Sequence, residues 1–199
     1  MWRSLYVNPL WRIMHPLAGM DAGVTLREYY AHAGAARYTS VLVEDAGSRL
    51  LVTPEDVLRY LYENRMLDGV DPAAVASRLV AASPGTRVID VIELMLGRWI
   101  RRLPMGGRIL TDRLLADCYL FHARSLQILS RDPDSLLEAP VDSLQGCLVD
   151  PPRFSEGEDV YSVAEKVLGS NARAAVTADL SRIVTPFDLA VRPFVPRDP

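Results

Sequence analysis

Cysteine is scarce in this chain and forms no motif. Cys118 and Cys147 are the only cysteines among 199 residues, and their spacing matches neither a CxxC motif nor a metal site. Two such cysteines do not imply a disulfide framework, and they favour a reducing compartment. The first residues also lack the apolar core of a signal peptide. We therefore expect a cytoplasmic protein in which Cys118 is a small buried side chain rather than a nucleophile.

Long apolar runs and a net positive charge are absent too. No window approaches 18 uncharged apolar residues, so no segment is expected to span a membrane. The net charge is −3 and Lys166 is the only lysine, so no global basic field would attract nucleic acid. One dense basic run extends from Arg98 to Arg113. A solvated face is its ordinary interpretation, with phosphate binding as a rival and nucleic-acid binding as a weaker one.

The usual marks of catalysis are missing as well. The sequence has no Gly-rich phosphate loop, no nucleophile elbow and no pair of catalytic carboxylates. Its three histidines, His15, His32 and His122, are scattered without the spacing of a metal site. We expect no catalytic residue and no metal ligand, and hence a protein that is not an enzyme.

What the sequence does contain is a repeated motif, in which an apolar strand leads into a helix that begins at a threonine. It occurs at residues 50–58 and 182–189 and, in weaker form, at 108–115. Hydrophobic residues make up 49% of the chain, enough for a substantial core. The order helix, strand, strand, helix recurs with each copy of the motif, and it predicts an α+β fold of three repeats.

The predicted elements follow from periodicity and turn residues. Hairpins are expected at 40–52, 101–110 and 172–184. Helices are expected at 24–37, 54–64, 88–97, 112–130 and 160–168, with a short last helix after Thr185. Residues 1–13 carry Trp2, Tyr6 and Trp11 and are expected to form an ordered arm that packs on another surface.

Several segments of the sequence resemble characteristic segments of the cystathionine-β-synthase (CBS) domain. The resemblance rests on the lead-in Ile13-Met14-His15-Pro16, on the strand Arg101-Arg102-Leu103-Pro104-Met105, and on the Val-Thr-x-x-Asp pattern at residues 52–56 and 184–188. It implies tandem β-α-β-β-α repeats over residues 1–68, 72–131 and 135–199. Such repeats are expected to pack in pairs through small three-stranded sheets, with the helices outside.

The resemblance also implies a ligand, an adenine nucleotide held in the cleft between two repeats. Backbone groups of the first hairpin strand would hold the base, the Asp would accept hydrogen bonds from the ribose, and the Thr and helix amides would face the phosphate. AMP, ADP or ATP is expected, with S-adenosylmethionine as an alternative, and no cofactor is required. The residues carried over in this way are Thr39, Ser40, Val41, Thr53, Asp56, Arg101, Arg102, Thr185 and Asp188.

The second repeat departs from the pattern, and the pattern itself has a simpler interpretation. Leu114 stands where the Asp is expected after Thr111, so no ribose contact is expected there. Thr-Pro-x-Asp is also a well-capped helix start, which stabilises by roughly 1 kcal/mol without any ligand.

The expected function is a non-enzymatic regulatory sensor of adenine nucleotides that acts through oligomerisation or a separate protein target. The alternative is a structural or interaction module with ligand-free clefts. Because the repeat number is odd, we expect the first two repeats to pair within the chain and the third to pair across a homodimer axis. The alternative pairing joins the second repeat to the third.

Overall fold

The computed structural model describes residues 18–21, 26–35, 40–45, 48–83, 85–98 and 100–195. The aromatic arm, the lead-in at 13–16 and Thr39 lie outside these residues. Within them, no helix is long and apolar enough to cross a membrane. Helices and small sheets alternate along the chain, which confirms the α+β class.

The first sheet is three-stranded, in the order β1-β2-β3. Its strands are β1 (Ala18–Asp21), β2 (Val41–Asp45) and β3 (Ser48–Val52), with helix α1 (Leu26–Ala35) between the first two. Strand β2 runs parallel to β1 and antiparallel to β3, so β2 and β3 form the first hairpin.

Helix α2 (Pro54–Glu63) follows the first hairpin because Thr53 caps it and Pro54 fits its first turn. Three side chains at helical spacing, Val57, Leu58 and Leu61, are buried. A short helix α3 (Pro72–Val75) and a two-residue strand β4 (Ser77–Arg78) lead on to the next unit.

The second hairpin pairs β5 (Arg102–Met105) with β6 (Arg108–Thr111), after helix α4 (Val88–Arg98). Its two-residue turn is Gly106-Gly107, and both glycines have positive φ, 57° and 89°. A tight hairpin turn that matches the strand twist requires such angles, and glycine adopts them without steric cost. The predicted hairpin is therefore confirmed together with its turn.

The single helix predicted for 112–130 is wrong. The structure has helix α5 (Asp112–Leu114), a π-helix (Leu115–Leu120) and, after a break, helix α6 (Ala123–Arg131). Phe121 is the C-cap of the π-helix, and His122 has an extended backbone at ψ 141° and caps α6. Helix α7 (Pro133–Leu137) and a 3₁₀-helix (Val141–Cys147) complete this region.

A disulfide bond joins Cys118 in the π-helix to Cys147 at the end of the 3₁₀-helix, with the two Cα atoms 5.6 Å apart. The separation is in the usual range for such bridges. The expectation that Cys118 is simply a small buried side chain is therefore wrong. The spacing along the chain gave no signal, because the two helices meet only through tertiary packing. The cytoplasmic location stays a prediction.

The third unit comprises β7 (Arg153–Phe154), helix α8 (Val160–Gly169), and the third hairpin of β8 (Ala175–Thr177) and β9 (Arg182–Val184), then helix α9 (Pro186–Ala190). Strand β8 begins three residues later than predicted, because Arg173 adopts a left-handed backbone with φ 47°. The sheet order is β4-β9-β8-β7, so strand β4 from before the second hairpin joins the third.

The contacts do not show the pairing expected for the first two units; they show the alternative pairing of the second with the third, but the first unit is not an outlier. One apolar cluster joins the outer faces of the second and third hairpins, through Ile109, Val176 and Ile183. The first unit instead packs on the third through helices, because α2 lies against α8 and α9. Among the described residues, no apolar cluster joins the first hairpin to the second.

Candidate functional site

We use the term Thr-Pro corner for the turn from the second strand of a hairpin into the next helix. The first corner, residues 53–56, lies at the surface, and its side chains hydrogen-bond to each other. The backbone N and the Oγ1 of Thr53 donate to Oδ2 of Asp56 at 2.8 and 2.6 Å, and the Asp56 N donates back to Thr53 Oγ1 at 3.4 Å. This is a complete capping box, and the Asp56 side chain remains at the surface. The charge of Asp56 is also close enough to add to the raised pKa of the buried Tyr29, which is caused mainly by burial and then by Tyr30.

The third corner has the same sequence pattern but is buried. Asp188 is only 2% exposed, and its Oδ2 accepts from the N and Oγ1 of Thr185 at 2.9 and 2.7 Å. Its Oδ1 accepts from Ser77 Oγ at 2.8 Å and pairs with Arg192 Nη2 at 3.2 Å. Both carboxylate oxygens are thus bound within the chain. The hydroxyl of Ser77 thus joins strand β4 to this corner, beside the backbone pairing of β4 with β9.

The second corner lacks a carboxylate, as its sequence indicates. Thr111 is buried and its Oγ1 accepts from Leu114 N at 3.1 Å, so the threonine serves as a helix cap. The neighbouring Asp112 accepts from Arg101 Nε at 2.6 Å instead. Leu114 packs at the edge of an apolar cluster.

Arg102 occupies the junction of the three units. Its Nε donates to the carbonyl oxygen of Ala172 in the third unit at 2.8 Å. Burial is the main cause that lowers the pKa of Arg102 below its usual range, and the charge of Arg101 adds to it. Carboxylates from three different units, on Glu55, Asp112 and Asp188, act in the opposite direction without cancelling the shift. The guanidinium is half-buried and stays charged at neutral pH.

A second arginine links the first unit to the third at this junction. Arg173 Nε lies 3.2 Å from Oε1 of Glu55, and the same carboxylate is 3.6 Å from Arg59 Nη2. Arg173 also donates from Nη1 to the carbonyl oxygen of Leu168. Glu55 is therefore the acid that the two arginines share, while Arg102 has an acceptor in the Ala172 carbonyl.

The remaining predicted residues lie on the first hairpin. Val41 is fully buried, and its backbone pairs with Val52, so only its main chain could contact a ligand. Ser40, just before it, is half-buried. Thr39 lies outside the described residues. The ligand-binding roles of all nine predicted residues stay predictions, although the structure brings Arg101, Arg102 and Asp188 into one electrostatic neighbourhood.

An open groove of about 600 Å³ lies elsewhere, between the second hairpin and the lead-in to β7. It contains none of the predicted residues. Its cations are used in part by the chain: Arg108 donates from its two Nη atoms to the carbonyl oxygens of Gln145 and Leu148, while its buried Nε has no hydrogen-bond partner among the described residues, and Lys166 binds Glu158. The junction, which brings together charged groups from all three units, is the stronger candidate site, although the groove has the volume of a small-molecule site.

The structure adds four residues that the sequence-based prediction missed, Glu55, Ser77, Arg173 and Arg192. Glu55 lies inside the Thr-Pro-Glu-Asp motif and could have been noticed. Ser77 carries no local signal, because its bond to Asp188 spans 111 residues. No group of three metal-ligating side chains occurs in the part of the chain that the structure describes.

Comparison with known proteins defines the fold. No protein-family model matches the sequence, and no curated protein sequence does. Among solved structures, the fold is similar to that of a protein from Methanocaldococcus jannaschii described as a candidate archaeal homologue of γ-AMPK. The TM-score is 0.69 at 18% identity, over 88% of this chain and 66% of the other. The chain thus spans slightly less than two thirds of that protein's length.

This likeness is consistent with the CBS-domain fold expected from the sequence. At 18% identity it concerns the fold and not the ligand or the partner.

Proposed function

We propose that the chain is a non-enzymatic regulatory module that binds an adenine nucleotide at the junction of its three units. The observation that carries the proposal is the place of Arg102, a half-buried guanidinium whose Nε donates to the Ala172 carbonyl oxygen at 2.8 Å and that lies within electrostatic reach of carboxylates from all three units. A phosphate group supplies both the negative charge and the acceptor oxygens that a guanidinium needs. Arg102 would therefore contact the phosphate.

The third corner supports the rest of the ligand. Asp188 lies close enough to Arg102 to influence its pKa, and the Ser77 hydroxyl donates to Oδ1 of that aspartate at 2.8 Å. A ribose hydroxyl would donate in the same way and would replace Ser77 on Oδ1. The first corner, with the exposed Asp56, is a second place for a ribose contact. AMP, ADP and ATP fit this chemistry, and S-adenosylmethionine fits only the ribose part of it.

The regulatory effect of the bound nucleotide would be transmitted through oligomerisation or a separate protein target. The likeness to a protein described as a candidate homologue of γ-AMPK supports a regulatory role, and no catalytic motif is recognisable in the sequence. A homodimer is part of the proposal.

The test is a thermal-shift screen with AMP, ADP, ATP, S-adenosylmethionine and adenosine at millimolar concentration. Ligand at 100 times its Kd stabilises the native state by about 2.7 kcal/mol, which raises the midpoint by several degrees. Arg102→Gln should abolish the advantage of the phosphorylated ligands over adenosine. The matched control is Arg113→Gln, whose side chain is 86% exposed and pairs with Asp117 of the π-helix that follows. Equal shifts in both variants would contradict the role of Arg102.

A structural module with ligand-free clefts is the second candidate, and the state of Asp188 favours it. Both oxygens of this aspartate are bound by the chain itself, through Thr185, Ser77 and Arg192. In that case Asp188 would serve the fold alone, and no nucleotide would shift the midpoint of the wild-type chain.

A further inference from the structure

The disulfide bond between Cys118 and Cys147 joins two irregular segments of the second unit. Cys118 lies in the π-helix, and Cys147 is the last residue of the 3₁₀-helix. A 3₁₀-helix has poorer hydrogen-bond geometry than an α-helix, and the amide of Leu148 reaches the carbonyl oxygen of Gln145 only at 3.4 Å. The covalent bond therefore restrains a part of the backbone that its own hydrogen bonds hold weakly.

The two cysteines differ in their access to solvent. Cys147 is 6% exposed and belongs to the apolar core of the second unit, whereas Cys118 is partly exposed and packs at the edge of that core. Phe121, the C-cap of the same π-helix, is 64% exposed, so this end of the helix lies at the surface. A thiolate that approaches from solvent therefore meets Cys118 first, and the rate of exchange depends on access to the sulfur that is attacked.

The segment at the end of the 3₁₀-helix is what the bond holds in place. The guanidinium of Arg108 donates to the carbonyl oxygens of Gln145 and Leu148, one on each side of the disulfide. Val149 follows and exchanges two backbone hydrogen bonds with strand β6, at 2.8 and 3.0 Å. Leu148 and Val149 also line the open groove. The disulfide thus ties one wall of the groove to the π-helix.

We propose that Cys118 is a site of thiol–disulfide exchange with a dithiol, and that breaking its bond releases residues 145–149 at the wall of the groove. Disulfides that occur in a reducing compartment, which the cysteine pattern favours for this chain, are usually transient or redox-sensing. The proposal does not depend on nucleotide binding.

The exchange takes place in two steps. The first thiolate of the dithiol attacks Sγ of Cys118, and the S–S bond breaks with its electron pair on Sγ of Cys147, which takes up a proton. The second thiol then loses its proton and attacks the mixed disulfide, so that Cys118 leaves as a thiolate and is protonated. The dithiol is oxidised to a cyclic disulfide, and two electrons and two protons pass to the two cysteines.

A monothiol identifies the sulfur that is attacked, because it remains as an adduct on that cysteine. The folded chain is incubated with millimolar reduced glutathione, quenched in acid, alkylated with N-ethylmaleimide in denaturant and mapped by mass spectrometry. We expect glutathione on Cys118 and the alkyl group on Cys147. In urea both sulfurs are accessible, so the control reaction should place glutathione on either cysteine. Absence of an adduct on the folded chain, or adducts shared equally between the two cysteines, would overturn the proposal.

Nuclear magnetic resonance relaxation of backbone amides measures the release. The order parameters of the Leu148 and Val149 amides should fall from about 0.85 in the oxidised chain to below about 0.6 after reduction with dithiothreitol. The amide of Val163 is the matched control, because Val163 is fully buried in helix α8 and its amide bonds to the Asp159 carbonyl oxygen at 3.1 Å. Its order parameter should stay at about 0.85.

A variant without the bond repeats the measurement in the absence of reductant. The double substitution Cys118→Ser and Cys147→Ser should give the low order parameters of the reduced wild-type chain. Order parameters at Leu148 and Val149 that do not change on reduction would show that packing alone holds the segment, and would overturn the proposal. Loss of the folded spectrum on reduction, with Val163 affected as strongly as Val149, would overturn it too, because the bond would then support the whole fold.

Discussion

Replacing Asp188 with alanine should destabilise the protein far more than the same replacement of Asp56, although both follow a Thr-Pro pair at the same spacing. The difference comes from burial. Asp188 is 2% exposed and satisfies two groups of Thr185, the hydroxyl of Ser77 and the guanidinium of Arg192. Asp56 is exposed and binds only Thr53 among the described hydrogen bonds.

The magnitudes follow from these contacts. Removing the Asp188 carboxylate leaves the partly buried donors of Thr185 and Ser77 unpaired, at about 1–3 kcal/mol for each buried group, whereas Arg192 is 37% exposed and remains solvated. Losing an exposed helix cap costs about 1 kcal/mol. We therefore expect Asp188→Ala to lower the free energy of unfolding by about 3–5 kcal/mol and Asp56→Ala by about 1 kcal/mol.

Urea unfolding followed by circular dichroism measures both losses. The slope of free energy against urea should be unchanged in both variants, so that the midpoints report stability alone. Ser77→Ala is the intermediate control, with an expected loss of about 1 kcal/mol for one neutral hydrogen bond. If Asp56→Ala and Asp188→Ala cost the same, the assignment of Asp188 as a buried anchor is wrong.

Two further predictions concern the second and third units. Reducing the bond between Cys118 and Cys147 should lower the free energy of unfolding by about 3.5 kcal/mol, given a sequence separation of 29. Urea midpoints that are the same with and without reductant would contradict this. Hydrogen bonds from Thr177 and then Ser181 lower the pKa of Asp179 from 3.8 to about 2. The folded pKa is the lower one, so this stabilisation is complete above about pH 4 and is lost as the pH falls towards 2. An NMR titration that gives Asp179 an unshifted pKa would refute it.

Elements with local causes were predictable from the sequence. The capped helix that follows Thr53 and the turn at Gly106-Gly107 were both expected and both occur. Their causes lie within a few residues: a hydroxyl that caps, a proline with a fixed φ, and two glycines that adopt positive φ.

Features that depend on distant contacts were not predictable. The helix expected for 112–130 breaks at Phe121, although no proline or glycine marks the break. The pairing of the second and third hairpins depends on how the whole chain packs, and the odd repeat number alone favoured a pairing that the contacts do not show. The bond from Ser77 to Asp188 joins residues 111 positions apart, so the burial of one Thr-Pro corner and the exposure of the other had no local cause.

The central claim is that an adenine nucleotide binds at the junction around Arg102, and calorimetric titration of the wild-type chain tests it most directly. We predict saturable binding of AMP, ADP or ATP that is tighter than that of adenosine, with the difference lost in Arg102→Gln. The absence of binding by every adenosine ligand at millimolar concentration would contradict the claim.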